Sequence, residues 1–170
     1  RTRTGEEYHG KVISNASPHY TCNWIKTDEK SVKKMRRAIS KRKVFPSICA
    51  LFMAVDEGYD FGNTQCIMLA KKKDYMTRPE EYTEESAPVV LYVYPRRAED
   101  RYRPVIALVP LPYGYENEWK TGAGKVRGES YRMLKKRVEN AVLSRIESHL
   151  GNDFLNSVAH RELSTPITFE

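Results

Sequence analysis

No stretch of this chain reaches the roughly 18 to 20 consecutive apolar residues that a membrane-spanning helix requires, and its first residues form no basic-then-apolar leader. Cysteine is scarce. Cys22, Cys49 and Cys66 are odd in number, far apart and never in C-x-x-C spacing, which excludes a disulfide framework and a zinc ribbon. That usage fits a reducing compartment, and the expected location is cytoplasmic, at most peripheral to a membrane. No G-x-G-x-x-G occurs, and "KTGAGKVRG" fails as a phosphate loop because Trp119 stands where a glycine is needed and Val126 follows Lys125. His9, His19, His149 and His160 have no metal-ligand spacing, and none neighbours a Ser or Cys in a nucleophile motif. The residues therefore assign no metal and no catalytic group. Asn15-Ala16-Ser17 matches a glycosylation sequon, but Pro18 follows directly and that reading is discarded.

What is present points to one core. A chain of 170 residues at 40% hydrophobic content, with two Trp, five Phe and eleven Tyr, has the apolar bulk for a single domain. Lys and Arg number 29 against 22 acidic residues, a net charge of +7, which attracts polyanions or an acidic surface only if gathered on one face. The run "KSVKKMRRAISKRKV" holds eight cations between Lys30 and Lys43. Val32, Met35 and Ile39 give it an apolar stripe to bury, so the cations read as a solvated helix face. The run also lacks the interleaved aromatics of a single-strand binding surface, and no nucleic acid is expected as a partner.

The punctuation gives an α+β order. Tyr8 and Lys11-Val12-Ile13-Ser14 read as a strand ending at Asn15, with Pro18 blocking its continuation. Asp28 is a candidate N-cap for a helix through Ser40. "SICALFMAV", closed by Asp56-Glu57-Gly58, and "TQCIMLA" are apolar runs of strand length whose closeness suggests antiparallel neighbours. Residues 71–86 read as a long loop. "APVVLYVYP" and "RPVIALVPLP" are two further strands, and 113–128 reads as a loop. From Glu129 to Leu150, Tyr131, Leu134, Val138, Ala141, Val142, Ile146 and Leu150 recur at steps of three and four, with Gly151 as the stop. A last strand spans about Ser157 to Leu163. The expectation is a mostly antiparallel or mixed sheet of about five or six strands covered by one long and one shorter helix.

Two end segments carry a resemblance. "TGEEYHGKVISNASPHYT" resembles the part of phytoene desaturase-like flavoenzymes in which a hairpin leads to a strand ending in Ser-Asn-Ala, followed closely by Pro. "YRMLKKRVENAVLSRIESHLGNDFLNSVAHRELSTPITFE" is similar to the same family's later segment, a Tyr-x-x-Leu-Lys helix, an acidic turn near Asp153 and a strand running into Thr-Pro-x-Thr-x-Glu. "SICALFMAVDEGYDFGNTQCIMLA" and "APVVLYVYP" are similar to the strands between them. The family takes in carotenoid desaturases, carotenoid isomerases and retinol saturases, and is related to the amine oxidases.

The resemblance implies a substrate-domain fragment of an FAD-dependent oxidoreductase acting on a polyene or other apolar lipid by flavin hydride transfer. Residues 1–17 would be a strand of a discontinuous FAD-binding domain, 18–164 the substrate-binding domain and 165–170 the start of the return. The Gly-rich flavin segments of that family lie before and after such a stretch, and this chain begins at Arg1 rather than Met. The fragment alone is therefore expected to be inactive and not to hold FAD. Asn15 and Ala16 would lie on the flavin side, with Thr165, Pro166 and Phe169 shaping the substrate site. The partner implied is an apolar lipid, with contact between the parent and a membrane surface compatible with it. The alternative is a free-standing basic α+β module that binds nucleic acid or a partner protein.

Overall fold

The computed structural model describes residues 5–7, 9–27, 29–41, 47–70 and 79–169, the side chain of 169 excepted. It divides into two units, residues 1–44 and 45–170, a division between Val44 and Phe45 where the sequence signals mark no boundary.

In the first unit, α1 (Pro18–Trp24) opens with Pro at its first turn, where the missing N–H costs nothing and the fixed φ suits a helix. Ser17-Pro18 is the signal for it, read above only as the end of a strand. Among the described residues that strand is not formed: residues 11–15 pair with no described strand, Val12 and Ile13 are 89% and 98% exposed, and Tyr8 lies outside the described residues. The physical reason is that adjacent apolar residues give no alternation, so neither face of such a strand has a core to enter. Helix α2 (Lys30–Ser40) follows, with Glu29 at the N-cap position; the expected cap, Asp28, lies outside the described residues. The expected buried stripe needs correction. Val32 and Ile39 are half-buried, Met35 is exposed, and Arg36 occupies the sheltered position between them. Arg36 Nε donates to Cys22 O (2.9 Å) and its terminal nitrogen to Ile25 O. Carbonyls at the end of α1, which have no partner within the helix, are thereby satisfied by a guanidinium from α2.

The second unit is a five-stranded antiparallel sheet in the order β2-β3-β4-β1-β5, confirming the α+β expectation. Its strands are β1 (Ile48–Asp56), β2 (Cys66–Leu69), β3 (Val89–Val93), β4 (Tyr102–Pro110) and β5 (Val158–Ser164). β1 and β2 are not neighbours. β4 and β3 lie between them, because the connection 57–65 exceeds a hairpin loop and is anchored elsewhere. Within it Tyr59 and Phe61 meet edge to face at 4.9 Å, and each meets Phe154 at 5.3 Å and 5.9 Å. Phe154 belongs to the short helix α5 (Asn152–Asn156).

One face of the sheet is closed. Cys49, Leu51, Met53 and Val55 of β1, Val105, Ala107 and Val109 of β4, and Leu163 of β5 share one core with Tyr131, Leu134, Val138, Val142 and Ile146 of α4 (Glu129–Leu150). Helix α4 keeps the bounds its periodicity predicts. Gly151 ends it at φ 83°, a region open to glycine at no steric cost, and its N–H donates to Glu147 O at 2.8 Å. The expected loop 113–128 contains a short helical turn, α3 (Tyr115–Trp119), in which Glu116, Asn117 and Glu118 have φ of 43°, 57° and 56°. This left-handed turn delivers Trp119 into the core at 0% exposure.

Candidate functional site

The site is the other face of the sheet, and strand register builds it. Since side chains alternate, every residue offset by one from the core set faces away from α4. Phe52 of β1 stands opposite Ile106 of β4, which stands opposite Tyr92 of β3, opposite Cys66 of β2. A parallel row joins Ala50, Leu108, Val90 and Met68. Ile48 pairs with Pro110 at one end and Ala54 with Pro104 at the other. Such a surface is ordinarily polar in a one-sided antiparallel sheet. Here it is largely apolar and partly exposed: Phe52 is 42% exposed, Met68 55%, Tyr92 40%, Tyr94 46% and Ile48 38%, whereas Ala50 is buried, Ile106, Leu108 and Val90 are half-buried, and on β5 Glu162 stands opposite Phe52 and His160 opposite Ala54. From Pro104 to Pro110 the surface runs roughly 20 Å, and from β2 to β1 roughly 14 Å, at ~3.4 Å per residue and ~4.8 Å per strand. Contiguous apolar patches of a few hundred Å² mark binding surfaces rather than ordinary exterior.

Two shallow hollows adjoin over Pro104 and Ile106. One, of about 270 Å³, is floored by Phe52, Ala54 and Ile106 with His160 on its lip. The second, of about 540 Å³, is bounded by Tyr94, Pro95, Arg96, Arg97 and Asp100. Arg96 is tied down, its guanidinium 3.1 Å from a Glu57 carboxylate oxygen and donating to Asp100 O. Arg97 has no carboxylate partner among the described residues. Charged groups of both signs, Arg96 and Arg97 with Glu57 and Asp100, therefore gather at one end of the apolar surface, while the Ile48 and Pro110 end is apolar.

The residues that the family resemblance selects lie elsewhere. Asn15 and Ala16 are in exposed coil of the first unit, where Ala16 N–H donates to Ser14 Oγ at 3.3 Å. They do not fit a flavin-holding role by themselves: the helix that follows is a seven-residue turn with no glycine-rich approach. Thr165 is fully buried and 2.9 Å from Tyr131 Oη through Oγ1. Its carbonyl accepts from Thr168 N–H at 2.8 Å. Pro166 is buried and opens a 3-10 turn, Pro166–Phe169, whose Ile167 enters the core; the Phe169 side chain lies outside the described residues. Thr165 and Pro166 thus belong to the packed side of β5 rather than to its exposed face.

A second polar cluster is structural. Glu84 accepts from Arg137 Nε at 2.6 Å and from the Tyr115 hydroxyl, and Arg137 also donates to Glu116. Burial, then the hydrogen bond to Glu84, pushes the Tyr115 phenol up to about 12. The hydrogen bond from Arg137 holds the Glu116 carboxyl below its ordinary range. Arg145, buried on α4, donates to the carbonyls of Ala87, Glu85 and Glu84, the last at 3.4 Å. The segment before β3 is thereby anchored on α4. No signal in the sequence exposed this network, because its hydrogen-bonded partners lie 21 to 61 residues apart. Among the described residues no group of three or more His, Cys, Asp or Glu is placed to hold a metal ion. Nor is any helix among them long and apolar enough to cross a membrane. In comparison with known proteins, the chain matches no family model and no curated sequence.

Proposed function

We propose that this chain is the substrate-binding part of an FAD-dependent oxidoreductase that acts on a polyene or other apolar lipid by desaturation, saturation or isomerisation. The observation that carries it is the row of exposed Phe52, half-buried Ile106 and exposed Tyr92, the centre of a largely apolar surface roughly 20 Å long. A lipid hydrocarbon laid there would be held by area rather than by polar contacts, at ~25 cal/mol per Å² removed from water. The flavin, in this reading, is held by segments other than this chain and supplies the hydride chemistry. The residues here exclude water and set the position of the chain. The test is the full-length protein purified with its flavin: Phe52→Asp is expected to lower turnover of an apolar polyene at least tenfold with flavin content unchanged. A colourless full-length protein, or turnover indifferent to Phe52→Asp, overturns the reading.

One observation favours a second reading, a nucleic-acid-binding module. Tyr20 and Trp24 stack at 6.4 Å and are 64% and 67% exposed, in the same unit as the cations of α2. Exposed aromatics beside cations suit single-stranded nucleic acid, and that reading requires an affinity for RNA that falls steeply with salt.

A further inference from the structure

The net charge of +7 is not spread along the chain. Residues 1–44, the first unit, hold twelve Lys and Arg against four Asp and Glu, a balance of +8, whereas residues 45–170 hold seventeen against eighteen, a balance of −1. On α2 the cations are also aligned. Lys30, Lys34, Arg37 and the C-cap Lys41 follow at steps of four, three and four, which puts them on one face of the helix, and all four are exposed. The half-buried Val32, Arg36 and Ile39 occupy the opposite face. None of the four aligned cations pairs with a carboxylate among the described residues. The line they form is roughly 16 Å long at ~1.5 Å per residue. Positive charge gathered in this way is the complement of a polyanion.

Apolar groups in the same unit select which polyanion. Tyr20 and Trp24 of α1 are 64% and 67% exposed, and Ile25 and Met35 are exposed as well. Val12 and Ile13 precede α1, and the segment that carries them is tied to it where Ser14 Oγ meets Thr21 Oγ1 at 2.7 Å. The aromatic pair would serve nucleic-acid bases or lipid headgroups equally. The aliphatic side chains gain nothing from phosphates or bases, but they leave water on entering the boundary between headgroups and acyl chains. Tyr and Trp concentrate at that same level, and lysine stems lie along apolar surface while their ammonium groups stay among the headgroups.

We infer that the first unit docks on the surface of an anionic lipid bilayer, with Lys30, Lys34, Arg37 and Lys41 on acidic headgroups and Val12, Ile13 and Trp24 in the interfacial layer. Each Lys or Arg brought to such a surface tightens binding about fivefold. The contact is made by residues outside the exposed sheet surface, so vesicle binding can fail while the effect of Phe52→Asp on turnover stands, and the reverse.

The test uses the 170-residue chain and vesicles of phosphatidylcholine with or without about one-third phosphatidylserine, read by co-sedimentation. Binding to the anionic vesicles is expected to be roughly tenfold or more tighter than to the neutral ones, and to weaken as salt is raised. Lys34→Gln combined with Arg37→Gln is expected to weaken it about twenty-five-fold, about fivefold for each cation. Arg132→Gln removes an exposed cation of the second unit and is expected to leave it unchanged. Trp24 and Trp119 are the two tryptophans, and Trp119 is 0% exposed, so quenching by brominated lipid reports on Trp24 and is expected to vanish in Trp24→Phe. Circular dichroism confirms that each variant is folded. Equal affinity for neutral and anionic vesicles, indifference to the Lys34 and Arg37 pair, or an equal loss in Arg132→Gln overturns the docking surface. Tryptophan fluorescence untouched by brominated lipid overturns the seating of α1. Preference for polyuridylic acid over anionic vesicles at the same salt replaces the bilayer with a nucleic acid and also overturns the inference.

Discussion

Tyr131 in the first turns of α4 and Thr165 just beyond β5 meet hydroxyl to hydroxyl at 2.9 Å, with Thr165 at 0% exposure. The pair fixes the start of the long helix to the end of the edge strand. Tyr131→Phe is expected to cost ~1 to 3 kcal/mol, because a buried hydroxyl loses its partner. Tyr131→Phe with Thr165→Val should cost less than the two singles together. Urea unfolding with an unchanged slope checks both.

Leu51 and Phe52 are adjacent on β1 but face opposite ways, at 0% and 42% exposure. Leu51→Ala is expected to lose ~2 to 5 kcal/mol through the cavity it leaves. Phe52→Ala should lose under about half of that, since its ring keeps solvent contact. The two midpoints measured side by side decide it. Equal losses would mean that the surface read here as exposed is in fact covered.

Alkali should weaken the anchored segment before β3. The folded Tyr115 phenol, pushed up to about 12 by burial first and by Glu84 second, keeps its proton longer than the unfolded one near 10. Its contribution is therefore fully present below about pH 10 and is lost as pH rises toward about 12. Glu116 acts with the opposite sign: its carboxyl, lowered by Arg137, contributes above its unfolded range near 4.5 and fades as pH falls below it. Tyr115→Phe should flatten the alkaline limb of a stability profile measured by urea melts, and Glu116→Gln the acid limb.

The cysteines should separate by reactivity. Cys66 is exposed, whereas Cys22 and Cys49 are 4% and 0% exposed, and burial pushes the Cys49 thiol far above its ordinary value. Since the thiolate is the reactive form, one thiol per chain is expected to react with a disulfide reagent in the native protein, and three after unfolding. Rapid native reaction at Cys49 would contradict the closed core between sheet and α4.

How far the sequence reached is clearest by element. Helix α4 was legible to its last residue because a 22-residue amphipathic period and a following glycine act through local physics alone. All five strands of the sheet, β1 to β5, were legible as apolar runs bounded by breakers. The strand order was not. Adjacency in the chain suggests β1 beside β2, but the anchoring of 57–65 by Tyr59, Phe61 and Phe154 sends β2 to the far edge. The segment 11–15 failed for a related reason: apolar residues make a strand only where another strand accepts their backbone.

The amino-acid order by itself determined where the five strands of the sheet lie along the chain and which face of α4 is apolar, since spacing and turn chemistry need no distant partner. It left undecided which side of the sheet that helix covers. In β1 and β4 nearly every residue is apolar, so composition does not distinguish Leu51 from Phe52 or Val105 from Ile106. Only the folded chain makes that choice, by packing α4 against one set and leaving the other to water, and the candidate site exists because of it.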